Sequence, residues 1–173
     1  MIQTKRFVSN KDNLWEATMN IFVSSPCPIE SAKFLDNVRV NKMTVETAQL
    51  LSSALRLCGY SGSDVYKITH INHPSNLWCR KTQGNYKWLL AHFKALCEEY
   101  TRRTGKVHAS SKLLPIFESN VHLLPAGEQT PFSNNARNLT KGVDFTHEPN
   151  VHIAYQSYLN ARWETDKREP TWS

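Results

Sequence analysis

Two long stretches of this chain repeat apolar residues with the period of an α-helix, and no other feature narrows the fold as much. Between Ser31 and about Cys58, the residues Phe34, Leu35, Val38, Met43, Leu50, Leu51, Ala54, Leu55 and Cys58 recur mainly at spacings of three, four and seven. Gly59 and Gly62, with their neighbouring serines, end that pattern. After Gly84 a second stripe comprises Trp88, Leu89, His92, Phe93, Leu96, Cys97 and Tyr100, opposite Lys87, Lys94, Glu98, Arg102 and Arg103. Gly105 stops it, and the two arginines sit where the negative end of the helix dipole favours cations.

The remaining segments fill in a helical plan. Pro28 suits a first helical position, and the weak pattern over Asn37 to Asn41 predicts a kink. Pro74 opens a further helical region. Residues 109–149 carry four prolines with little periodicity, which predicts a long irregular excursion with one helical turn near Ser110 to Phe117. A last helix is predicted from Asn150 to about Trp163, with Val151, Ala154, Tyr155, Tyr158, Leu159 and Arg162 on one side. Met19 to Val23 reads as a short strand or an extended lead-in. The expected fold is mainly α: a compact single-domain bundle of about three long helices with long irregular loops. It occupies residues 19–173, behind a polar N-terminal extension over 1–18.

Composition limits the function classes. The 173 residues carry 21 Lys+Arg against 15 Asp+Glu, a formal charge of +6 that fits a polyanionic partner. No apolar run approaches the ~18–20 residues of a membrane span, and Met1 to Asn20 lacks the apolar stretch of a signal peptide. Cys27, Cys58, Cys79 and Cys97 form no CxxC pair and read as reduced thiols. The expectation is therefore a cytoplasmic protein, in the host cytoplasm if phage-encoded, with no membrane partner and no cofactor; a monomer is favoured. The Asn138-Leu139-Thr140 sequon reads as incidental. Phosphate cradles of the GxGxxG and GxxxxGK[ST] kinds are not written, nor are HExxH, GxSxG or the zinc-deaminase signature.

Three constellations could carry chemistry. Lys42, Glu46, Gln49, Ser53 and Arg56 share one face of the first long helix. This is either a solvated stripe with an i,i+4 ion pair or an amine and a carboxylate facing a groove. In the second case the carboxylate can stabilise a developing oxocarbenium ion, and the amine can attack a sugar C1′. His70, Asn72 and His73 lie within a short run, with His108 distant. Metal ligation lacks a third ligand at an established spacing; loop capping or phosphate contact are the other readings. Arg80 and Lys81, then Arg102, Arg103, Lys106 and His108, are interleaved with Trp78, Tyr86 and Trp88. They read as a phosphate-tracking surface with stacking groups, or as core aromatics beside a basic rim.

At three places the chain resembles the family of the phage pyrimidine-dimer DNA glycosylase, the small all-helical endonuclease five. Phe22-Val23-Ser24 leads into a helix in which Glu46 stands seven residues after Arg39, as the family's catalytic Glu stands seven after a His. Leu96 to Gly105 is similar to the family's long basic helix ending in Arg-Gly. Arg168-Glu169-Pro170-Thr171-Trp172 follows the last helix, as a basic residue before Pro-Thr-Trp does in the family. The chain also resembles uncharacterised phage proteins through Lys42 to Leu51 and Thr69 to Trp78. The sequence departs from the glycosylase pattern at Arg39, which replaces His, and at Asn37, which replaces Asp. The family's nucleophile is its N-terminal α-amine; here the chain starts about 20 residues earlier, which makes Lys42 the candidate substitute.

The resemblance implies a DNA- or nucleotide-directed enzyme acting at an N-glycosidic bond, glycosylase- or lyase-like and of base-excision type. Glu46 and Lys42 would be catalytic. Arg39, Gln49, His70, Asn72, His73, Trp78, Arg80, Arg103, His108 and Trp172 would bind phosphate, sugar or base. Two alternatives remain at this point: a non-catalytic phage-type protein that binds DNA or a host protein, and an enzyme of free nucleotides.

Overall fold

In a computed structural model the chain is described over residues 20–173; the extension expected at 1–18 lies outside the described residues. Among the described residues there are six α-helices: α1 Pro28–Phe34, α2 Asn37–Leu57, α3 Pro74–Lys81, α4 Gln83–Thr104, α5 Leu114–Ser119 and α6 Val151–Thr165. Three of them are long, at 21, 22 and 15 residues for α2, α4 and α6. The bundle of about three long helices is thus joined by three short ones and by a two-residue hairpin that pairs Arg137 with Asp144 and Asn138 with Val143. No helix of the described residues is long and apolar enough to cross a membrane.

The first long helix differs from the expectation. The stripe predicted from Ser31 to Cys58 belongs to two helices, broken at Leu35–Asp36 rather than kinked within 37–41. Leu35 takes an extended backbone (ψ 140°) and Asp36 becomes the N-cap residue of α2. The break costs little in unmet hydrogen bonding. Arg103, only 2% exposed in its side chain, donates to the carbonyls of Leu35 at 2.6 Å and Lys33 at 3.1 Å. The Asn37 amide donates to the Thr171 carbonyl at 2.7 Å, so the C-terminal tail supplies an acceptor for the first amide of α2.

Helix α4 is the hub and packs against α1, α2 and α3. It starts at a Thr82 cap, whose hydroxyl accepts from the Asn85 amide. It ends at Gly105 in the left-handed region (φ 71°), where no Cβ is strained. Gly84 has another reason to be glycine: a Cβ there would lie 2.2 Å from the Gln129 amide nitrogen. The 125–131 loop is laid directly on the first turn of α4, where the amides of Gln83 and Gly84 donate to Pro125 and Gly127.

The Met19–Val23 run forms no strand over its described part. Residues 20–23 are buried coil. Helix α6 holds this segment: His152 Nδ1 lies 2.9 Å from the Val23 carbonyl oxygen, Gln156 donates to Ser24, and Tyr155 donates to Asn20. Phe22 stacks on Tyr158 and meets Tyr155 edge-on.

Candidate functional site

Helix α2 carries the Lys42–Arg56 face from solvent into the interior. Lys42 is exposed; Glu46, one turn on, is 8% exposed; Gln49 is half-buried; Ser53 is buried. A solvated stripe therefore does not describe this face. Ser53 Oγ accepts from the Thr69 amide, which ties the far end of the face to the 69–73 segment. Arg56 is spent on the carbonyls of Tyr66 and Val65.

Glu46 has the most unusual environment of these residues. Its Oε2 is buried and finds no hydrogen-bond partner among the described residues. Burial pushes its carboxyl up to about 8, and the Lys42 ammonium only partly offsets this. The group is therefore mostly protonated at neutral pH and can donate a proton.

One turn before it on α2, Lys42 and Met43 line a cleft of about 320 Å³, bounded by Phe22, Met43 and Tyr158 on the apolar side; Glu46 itself lies behind this lining rather than in it. The charged lining of the cleft is five basic residues (Arg39, Lys42, Arg162, Lys167 and Arg168) against three acidic ones (Asp36, Asp166 and Glu169). Arg39 is committed within this set. Its Nη1 donates to Asp36 at 3.0 Å and to Asp166 at 2.7 Å. Arg162 is less occupied: Nη2 lies 3.6 Å from Asp166, Nη1 reaches Tyr158 at 3.4 Å, and its buried Nε has no partner among the described residues. With Arg39 neutralised, Lys42, Arg162, Lys167 and Arg168 remain to attract an anion.

The other expected binding residues are distributed elsewhere. His70 and Asn72 lie in the 69–73 turn, where His70 has a left-handed backbone (φ 51°) and Nδ1 within 2.5 Å of the Thr69 hydroxyl. His73 is a helix cap: its Nδ1 accepts from the Ser75 amide, and burial pushes the imidazole down to about 4. His108 is another cap. Its Nδ1 accepts from the Ser110 amide and its Nε2 faces the Asn41 side chain at 3.2 Å. These bonds match the capping reading of the histidines. Arg80 bonds the Ile71 carbonyl and the Asn76 side chain, beside the 69–73 turn and away from the cleft.

Three residues offered as nucleic-acid contacts have structural engagements instead. Trp78 is buried, stacked on Phe132 and at right angles to Trp88, with its N–H given to Pro131, so its ring is engaged in the core rather than presented to a base. Arg103 spends four of its five N–H donors on Glu99, Leu35, Asn37 and Lys33, and its side chain is only 2% exposed, so it is committed within the protein rather than presented to a phosphate. Trp172 is partly exposed, but its N–H is donated to the Phe34 carbonyl and its ring packs against Trp163.

The cleft residues that sequence reasoning missed are Asp36, Asp166 and Arg162. Arg162 is visible on the apolar side of α6, where a lone guanidinium is out of place, and that was the available signal. The pairing of Asp36 and Asp166 through Arg39 joins residues more than a hundred positions apart and leaves no local trace.

The cleft joins two regions of the chain. One wall comes from residues 22–43 and the other from residues 158–169. A family model described as pyrimidine dimer DNA glycosylase matches residues 19–113, which contains the first wall, Glu46 and helices α1 to α4. No match was found among curated proteins or solved structures. Since that match spans more than half of the 173 residues, the chain belongs to the pyrimidine dimer DNA glycosylase family.

Proposed function

We propose that this protein acts on DNA at an N-glycosidic bond, with Lys42 as nucleophile and Glu46 as proton donor. The observation that carries the reading is the buried Glu46 carboxyl, whose Oε2 has no hydrogen-bond partner among the described residues and whose burial favours the protonated form, one helical turn from an exposed lysine at a cationic cleft. The family description supports DNA holding a pyrimidine dimer as the substrate.

The chemistry follows from those groups. The Lys42 ammonium first loses a proton to water; the amine then attacks C1′ of an extruded nucleotide, forming an N–C1′ bond as the bond from C1′ to the base breaks. The departing base takes the proton that the newly bonded Lys42 nitrogen gives up. Opening of the sugar breaks C1′–O4′, and protonation of O4′ by Glu46 leaves a protonated Schiff base at C1′. The Glu46 carboxylate so formed lies beside that cation and stabilises it. The cleft is in the size range of a small-molecule pocket, which suits one nucleotide extruded from a duplex.

The test is incubation with duplexes carrying a cyclobutane dimer or an abasic site, followed by chromatography for released base or strand scission. Product formation that falls at least a hundredfold in Glu46→Gln supports the reading. Salt-sensitive DNA binding that survives Glu46→Gln with no product on either duplex would replace it with a non-catalytic binder.

A second reading has one observation behind it. The cleft is small and has a net positive lining, which suits a free nucleotide as well as one held in a strand. Competition by deoxynucleoside monophosphates at micromolar concentration would favour free nucleotides; indifference to them keeps DNA as the substrate.

A further inference from the structure

The cleft wall formed by Lys167, Arg168 and Glu169 belongs to no helix or strand, yet it is fixed at both ends. At its far end, Asn37 binds the tail through the Thr171 carbonyl (2.7 Å), the Thr171 hydroxyl (3.0 Å) and the Ser173 carbonyl (3.1 Å). Trp172 adds its bond to Phe34 and its ring contact with Trp163. At its near end the attachment is Asp166. This residue closes α6, and its Oδ2 accepts from Arg39 at 2.7 Å while Oδ1 lies 3.6 Å from Arg162. Arg39 is held from its other side by Asp36, which also accepts the Trp163 N–H at 2.8 Å.

We propose that Asp166 is a positioning residue for the cleft. Through Arg39 it holds the 167–169 segment against α2, so that Lys167 and Arg168 stand with Lys42 as one anion-binding set. The anion is a DNA phosphate, an identity that rests on the function proposed above; the anchoring itself does not. Arg39, in the position of the family's histidine, is then a tether between two carboxylates rather than a ligand of the substrate. The cleft needs both the family-matched half of the chain and the segment after it, and Arg39–Asp166 is an ion pair that joins them.

The geometry gives the anchor a particular strength. Arg39 is 12% exposed and Asp166 23%, so the pair is shielded from solvent more than a surface ion pair is. Asn at position 166 keeps the shape and one acceptor but removes the charge that balances Arg39 and Arg162. Glu at 166 keeps the charge on a longer arm.

Two measurements on the full chain test this. The first is limited trypsin digestion, with cleavage after Lys167 and Arg168 followed by mass spectrometry. Asp166→Asn is expected to raise that rate about tenfold, Asp166→Glu to restore it, and cleavage after Arg56 to stay unchanged as a control for global unfolding. The second is binding of a fluorescein-labelled duplex with a tetrahydrofuran abasic site, between about 50 and 200 mM salt. In the wild type, Lys167→Ala with Arg168→Ala should weaken binding and lower the salt slope by about two. In the Asp166→Asn background the same pair should change neither, because the wall has already been released.

A wild-type cleavage rate in Asp166→Asn would overturn the proposal. So would an equal effect of the Lys167/Arg168 pair in both backgrounds. If the wild-type protein fails to bind the duplex, the DNA reading falls and the digestion alone decides the anchor. Released cleavage then upholds it, and unchanged cleavage removes it.

Discussion

The Arg103 guanidinium donates to the Leu35 carbonyl at 2.6 Å, at the break between α1 and α2. The same side chain bonds the Glu99 carboxylate at 2.9 Å, so a charge from α4 is brought in already paired. The break between α1 and α2 frees carbonyl groups in a buried place, and Arg103 satisfies them. Lysine cannot reproduce that fork of donors. Arg103→Lys is expected to destabilise the fold by about 2 kcal/mol, measured by urea unfolding, with binding to duplex DNA unchanged for the folded fraction.

Glu46 sets a pH dependence of stability. Its carboxyl is raised from an ordinary 4.5 to about 8 by burial, so the folded state holds the proton more tightly than the unfolded chain does. The stabilising contribution is complete below pH 4.5 and is lost as pH rises toward 8. Histidines 73 and 92 act in the opposite direction. Both are pushed down to about 4 by burial, so their contribution is present above pH 6.5 and lost as pH falls. The difference between wild type and Glu46→Gln isolates the carboxyl. Glu46→Gln should gain roughly 3 kcal/mol over wild type between pH 5 and 8 in denaturant titrations. A difference independent of pH would contradict the burial argument.

Gly84 is required by space rather than by backbone angle. A methyl group there would meet the backbone of Glu128 and Gln129 at 2.2–2.8 Å. Helix propensity alone favours Ala by about 1 kcal/mol, but the overlap is with backbone and cannot be relieved by a rotamer change. Gly84→Ala is expected to lower stability by about 2 kcal/mol and to raise amide exchange at Gln83 and Gly84, whose bonds to the 125–131 loop would be displaced.

Trp78 separates a core role from a base-stacking one. Its indole fills the space between Phe132 and Trp88. Trp78→Phe should cost about 1–3 kcal/mol in stability, while DNA affinity at a temperature where the variant is folded stays within twofold of wild type. A large loss of affinity without loss of stability would return Trp78 to the binding surface.

The long elements were legible because a helix buries one stripe of its surface, and that stripe repeats in the sequence. The second stripe, Trp88 to Tyr100, lies within α4, and the tail-side stripe, Ala154 to Leu159, lies within α6. The break at Leu35–Asp36 was not legible. Leu35 keeps its apolar spacing on either side of the break, and what stabilises the break is Arg103, 68 residues away. The candidate site divided in the same way. Lys42 and Glu46 share a face by spacing alone, but whether that face is wet or buried depends on what packs over it. The expected cationic contacts were identified by residue type, and type does not tell a committed arginine from an open one. Arg39, Arg80 and Arg103 are bonded within the protein, whereas Lys42, Arg162, Lys167 and Arg168 line the cleft with Arg162 only loosely held.

The chemistry at Lys42 and Glu46 is tested most directly by borohydride reduction during reaction with a duplex carrying an abasic site, followed by peptide mapping of the cross-link. A Schiff base at C1′ would be reduced to a stable amine. The expected result is a covalent protein–DNA adduct mapped to Lys42, absent in Lys42→Ala and at least a hundredfold slower to form in Glu46→Gln. An adduct on any other amine, or undiminished trapping in Lys42→Ala, would contradict the assignment of the nucleophile. The complete lack of an adduct with wild-type protein that binds the duplex would contradict the covalent mechanism itself.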